Sequence, residues 1–155
     1  MKSSLNRRQF IKRGAAAGAS LAALPHFNIL QGAVSPGEKV VLGVMGANGR
    51  GSDLIGGFSR LAGVEIGYVC DVDERAIAKG FKTLGNRQAK PPQAVKDFRR
   101  ILDDRSVDAL VIAAPDHWHG PATILACAAG KHVYVEKPAC HNPHEGELMI
   151  AAARK

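Results

Sequence analysis

Three short stretches hold the residues able to do chemistry. Gly46-Ala-Asn-Gly-Arg-Gly51 follows the apolar run Val40–Met45, Asp71 ends a second apolar run twenty positions on, and Glu136-Lys-Pro138 ends a later one. Glycines between a strand and a helix let backbone amides approach a diphosphate, and an acidic residue about 20 positions further can hold the ribose. A lysine in a partly buried pocket can have its proton affinity lowered enough to exchange protons near neutrality. The chemistry that fits all three is a dinucleotide-dependent oxidation or reduction, with Lys137 orienting a substrate hydroxyl or taking its proton.

In the turn, Gly46 supplies the tight bend and Gly51 lets the helix pack close to the sheet. Asn48 stands where the motif carries its second glycine; Asn tolerates positive φ better than most residues, and Gly49 adds slack. The free amides and the helix dipole would favour a diphosphate by about 0.3–1 kcal/mol, and about 2 when partly buried. Asp71 can accept from both ribose hydroxyls, or can cap the helix starting near Glu74. A 2′-phosphate at ~4 Å from its carboxylate would cost about 1 kcal/mol in water and ~4 at intermediate dielectric. Asp73 and Glu74 add to that repulsion and Arg75 is the nearby cation, so NAD is expected in preference to NADP. The candidate cofactor residues are Gly46, Asn48, Gly49, Arg50, Gly51, Asp71, Pro115, His119 and Glu136, and the candidate catalytic residue is Lys137. In Pro115-Asp-His-Trp-His-Gly120, His119 is expected to line the site; His117 could contact a sugar or the nicotinamide region and Trp118 could stack on either, the alternative being a capped loop with solvated imidazoles.

These residues need a scaffold, and strands alternating with helices predict a parallel sheet covered on both faces, a Rossmann-type doubly wound α/β fold. Strands are expected at Val40–Met45, Val64–Cys70, Ala94–Val95, Ala109–Ala114 and His132–Glu136. Helices are expected at Arg50–Leu61, Glu74–Leu84, Phe98–Asp103, Pro121–Ala129 and from Glu145 onward. The uninterrupted apolar run at Ala109 reads as a strand buried on both faces. In Pro121–Ala129, Ile124, Cys127 and Ala128 share one face, and Gly130 stands where a helix stops.

Residues 1–33 read as an address. Arg7-Arg8 precede the uncharged Ala/Gly-rich stretch Gly14–Leu24, which is too short to span a bilayer, and this pattern predicts a twin-arginine export signal with a linker. That segment holds five basic residues and no acid, so without it the formal charge falls from +7 to +2. The high pI is therefore no sign of nucleic-acid binding. Cys140-His141-x-x-His144 and His117-x-His119 match no closed zinc spacing, so no metal is expected. Cys70, Cys127 and Cys140 are odd in number and unrelated in spacing, and no disulfide framework is expected.

With these residues assembled, the chain resembles the glucose–fructose oxidoreductase / inositol dehydrogenase / rhizopine-catabolism (Gfo/Idh/MocA) family over residues 38–155. The resemblance is carried in order by Gly43–Gly51, Val69-Cys-Asp-Val-Asp73, Val107–Pro115, Asp116-His-Trp-His119 and Val133-Tyr-Val-Glu-Lys-Pro138. It implies an N-terminal nucleotide domain, Lys137 as the catalytic lysine before a cis Lys137–Pro138 bond, and a sugar, cyclitol or related polyol as substrate. It also implies an exported enzyme served by the twin-arginine machinery, pairing into a homo-oligomer through a later substrate domain. Because some relatives are glycoside hydrolases that use NAD, a glycosidase is the alternative activity. The chain is expected to be a C-terminally truncated form, at most a weak nucleotide binder without turnover when isolated. A non-catalytic nucleotide-binding module is the third reading.

Overall fold

In the computed structural model, residues 39–155 are described. The export-signal reading of residues 1–33 lies outside the described residues. The expected parallel α/β sheet is present: five strands in the order β3-β2-β1-β4-β5, every pairing parallel. They are β1 (Val40–Met45), β2 (Val64–Cys70), β3 (Gln93–Val95), β4 (Ala109–Ile112) and β5 (His132–Val135). The helices are α1 (Gly49–Phe58), α2 (Glu74–Leu84), α3 (Arg99–Asp103), α4 (His119–Ala128) and α5 (Pro143–Ala153).

The chain builds outward from β1 to β3, then returns to the other side of β1 to lay down β4 and β5. This reversal places α1 and α2 on one face and α3 and α4 on the other. On the first face Leu42, Val44, Ile66, Val69 and Val111 pack against Leu54, Ile55, Ile77 and Leu84. On the second, Met45, Tyr68, Cys70, Leu110 and Ile112 pack against Phe98, Ile101, Ala122 and Ala126. Fully burying one such aliphatic side chain contributes about 1.5–3 kcal/mol. Ile66 and Val69 share a face although three residues apart, because β2 carries an extra residue: Leu42 pairs with Ile66 but Gly43 pairs with Tyr68. Gly67 is that bulge residue, and a Cβ on it would stand 2.8 Å from Val41 Cγ1.

Several boundaries differ from expectation. The first helix stops at Phe58 rather than Leu61, and β4 ends at Ile112 because Ala113 turns into the site. The buried face of α4 is Ala122, Thr123 and Ala126, not Ile124, Cys127 and Ala128. Gly130, at φ +71°, ends α4 with the amide of Lys131 donating to Ala126 O and its own amide donating to Cys127 O. Asn142 caps α5, its Oδ1 accepting from the Glu145 amide at 3.0 Å, with Pro143 in the first turn. Cys70, Cys127 and Cys140 are free thiols.

Candidate functional site

Parallel register brings the chemistry to one edge. Val95, Cys70, Met45, Ile112 and Val135 pair across the sheet as the last residues of their strands. The residues that follow them are Lys96, Asp71, Gly46, Ala113 and Glu136. Ligands of doubly wound sheets bind beyond this edge, where the strand order reverses, which here is the crevice between β1 and β4.

Gly46 sits in that crevice at φ +86°, and a Cβ on it would fall 2.6 Å from the backbone of Ala113. Gly51 is tighter still, since its Cβ would lie 1.7 Å from Gly46 O. These two glycines close the turn and leave a backbone cradle that no side chain fills. Asn48 departs from expectation. Its backbone is extended (φ −91°, ψ 169°), and Gly49 takes the positive φ of +43° instead. Asn48 caps α1, its Oδ1 accepting from the Gly49 amide at 2.9 Å and from Lys79 Nζ at 2.9 Å. Among the described residues, the amides of Asn48 and Arg50 have no acceptor.

Asp71 ties this turn to β2. Its Oδ2 accepts from the Ala47 amide at 2.8 Å and its Oδ1 from the Asp73 amide at 3.0 Å. It does not cap α2; Asp73 does, accepting from the Arg75 amide at 2.9 Å. An ionised carboxylate has about four acceptor positions, so two remain for ligand hydroxyls. Asp71→Asn would turn an NH2 group toward one of the two bound amides. It is therefore expected to lower stability by about 1–3 kcal/mol in a denaturant titration. An unchanged midpoint would mean the carboxylate does not clamp the turn.

On one side of the glycine turn lies a cavity of about 370 Å³ lined by Gly46, Cys70, Asp71, Lys96, Pro115 and Trp118, among others. Burial, with the charges of Asp71 and Asp97, pushes the Cys70 thiol up to about 12, so it is a neutral wall. Trp118 stands here with Asp71, edge-on to Phe98 at 6.2 Å, rather than beside Lys137. Arg75 is not the lone cation near Asp71, as Lys96 and Arg99 line the same cavity. All three are paired: Arg75 with Asp73 at 3.0 Å, Lys96 with Glu74 at 2.7 Å and Arg99 with Asp97 at 2.7 Å.

On the other side, a cavity of about 470 Å³ is lined by Arg50, Ala113, Ala114, His119, Glu136 and Lys137. Arg50 Nε donates to Glu136 Oε1 at 2.7 Å, and the Tyr134 hydroxyl donates to the same oxygen at 3.2 Å. The Arg50 guanidinium holds Glu136 below the usual carboxylate range. Lys137 follows it, and the Lys137–Pro138 bond is cis. Lys137 lines this cavity but is itself exposed rather than partly buried as expected, and among the described residues its ammonium is in no ion pair. Glu136 faces Arg50 instead.

His119 is 2 % exposed. Its Nδ1 lies 2.6 Å from Pro138 O and its Nε2 2.8 Å from Ala114 O. Both ring nitrogens face carbonyl oxygens, only one of which a neutral ring can donate to, and His119 lines this cavity while joining the β4 exit to the Lys137–Pro138 segment. His117 is exposed near Asp116, whose other oxygen is 3.4 Å from His141 Nδ1. His144 pairs with Glu147. Lys79 was missed because a lysine on an exposed helix face carries no sequence signal of its own; only the fold brings it to Asn48.

Residues 40–155 match the model of an oxidoreductase family with an NAD-binding Rossmann fold, Gfo/Idh/MocA. The chain is 30% identical to glycosyl hydrolase family 109 protein 1 of Shewanella sp. (strain MR-4) over 176 aligned positions, 98% of this chain and 38% of the relative. It is 29% identical, with the same coverage, to an alpha-N-acetylgalactosaminidase of Shewanella oneidensis. GenD2 from gentamicin A biosynthesis, solved in complex with NAD, matches with a TM-score of 0.68 at 26% identity, over 76% of this chain and 32% of that one. The WlbA dehydrogenase from Bordetella pertussis, in complex with NADH and UDP-GlcNAcA, matches with a TM-score of 0.66 at 25% identity, over 75% and 35%. The chain spans less than two fifths of the length of these relatives.

Proposed function

This chain belongs to the Gfo/Idh/MocA oxidoreductase family through its NAD-binding Rossmann domain, and from that premise we propose that residues 40–155 bind NAD across the β1–β4 crevice of an exported oxidoreductase acting on a sugar, cyclitol or related polyol. The observation that carries this is the cradle at Gly46 and Gly51. Any side chain there would collide with backbone, and among the described residues the amides of Asn48 and Arg50 at the α1 N-terminus have no acceptor. Asp71 offers its unspent lone pairs to the adenosine ribose, Pro115 and Trp118 wall the cavity beside it, and its charge disfavours a 2′-phosphate, hence NAD before NADP. When bound, NAD supplies a two-electron hydride acceptor or donor. Lys137 Nζ takes the proton of the reacting hydroxyl in the oxidative direction and returns it in the reductive one. Arg50 and Glu136 flank it, and His119 positions its segment through Pro138 O. Export rests on Arg7-Arg8 ahead of the uncharged stretch Gly14–Leu24.

The two Shewanella relatives favour a second reading, in which the same hydride chemistry is used transiently while a glycosidic bond is cleaved, with no net NADH. Trp118 is the one tryptophan of the chain and lines the Asp71 cavity, so its emission reports binding. Titration is expected to show saturable quenching with NAD, at lower concentration than with NADP. Tighter NADP overturns the NAD preference, and no response to either, checked by calorimetry, overturns the cofactor assignment. NADH accumulation with free polyols supports the dehydrogenase; aryl-glycoside release without net NADH supports the glycosidase.

A further inference from the structure

We propose that Lys79 is a further diphosphate-binding residue of this site, delivered to the glycine turn by Asn48. The inference rests on the NAD reading. Lys79 lies in the second turn of α2, exposed, with Nζ 2.9 Å from Asn48 Oδ1. The same oxygen accepts the Gly49 amide, so the ammonium stands within two hydrogen-bond lengths of the α1 N-terminus. A glycine at position 48 would offer no such oxygen. The residue that departs from the expected motif is therefore the one that holds the cation.

Packing fixes α2 where this is possible. Gly80, next to Lys79, is buried so closely that a Cβ would meet Val69 at 3.0 Å, Ile55 at 3.1 Å and Ala47 at 3.4 Å. Ser52 Oγ and Thr83 Oγ1 meet at 2.7 Å between α1 and α2. A lysine ammonium has three donors, of which Asn48 uses one. Asp71 and Asp73 on this edge are engaged with backbone amides and, for Asp73, with Arg75. The turn's own cation, Arg50, is engaged by Glu136. Two phosphate charges arriving at the turn would thus meet Lys79, whose ammonium is in no ion pair among the described residues, as a point-charge phosphate contact.

The test compares NAD, ADP and adenosine by Trp118 emission and calorimetry, at low and moderate salt, on the wild type, K79Q, N48G and the double variant. K79Q is expected to weaken NAD and ADP about tenfold at low salt, to flatten their salt dependence, and to leave adenosine within about twofold. In the N48G background the K79Q effect is expected to shrink. Lys79 is exposed, so circular dichroism should show both single variants folded. Unchanged NAD and ADP affinity in K79Q overturns the inference while wild-type binding preserves the cofactor reading; so does equal weakening of adenosine, which would mark a structural role. Failure of the wild type to bind NAD overturns both.

Discussion

Gly51→Ala is expected to lower the melting temperature by at least about 10 °C or to prevent folding. The added methyl would lie 1.7 Å from Gly46 O and 2.7 Å from Gly46 C, both backbone atoms that no rotamer change can move. Overpacking a core that can yield costs about 1–3 kcal/mol, and here the turn itself must open, so about 3 kcal/mol or more is expected. A domain of this size loses about 3–6 °C per kcal/mol. Gly57→Ala is the matched control: same helix, exposed, with nothing within 4 Å of its Cβ. It should gain about 0.5–1 kcal/mol from helix propensity. Thermal unfolding of the pair reads both; a Gly51→Ala protein melting within a few degrees of wild type would show that α1 does not pack on the turn in this way.

Lys137→Met is expected to lower kcat about 10²–10⁴-fold in whichever of the two assays registers turnover, the usual worth of a positioned acid–base group. Binding of NAD should stay within about twofold, because Lys137 lines a different cavity from Asp71 and Trp118 and its ammonium pairs with no described residue. A variant that retains more than about a tenth of wild-type kcat would remove Lys137 from the chemistry.

The fold was legible because the strands announce themselves. Val40–Met45, Val64–Cys70 and Glu74–Leu84 stand in the structure as the sequence patterns them, being long, apolar or well capped. The glycine turn was legible through residue types used where they were expected, Gly46 for its positive φ and Gly51 for its missing Cβ. Partnerships were less legible, since side chains choose them through tertiary contact. Glu136 reaches Arg50 across 86 residues rather than its neighbour Lys137, and the cap of α2 is Asp73, which frees Asp71 to clamp the turn. His119 was read by its chemistry as a ligand contact. Burial turned its nitrogens to two carbonyls, a choice set by where Pro138 passes.

The Arg50–Glu136 ion pair lies along one cavity wall, joining the start of α1 to the residue before Lys137. One guanidinium thereby sets the ionisation of the carboxylate that precedes Lys137. Whatever draws Arg50 away raises the proton affinity of Glu136, and whatever neutralises Glu136 frees Arg50. Contact at Arg50 and protonation at Glu136 are in this way a single linked equilibrium.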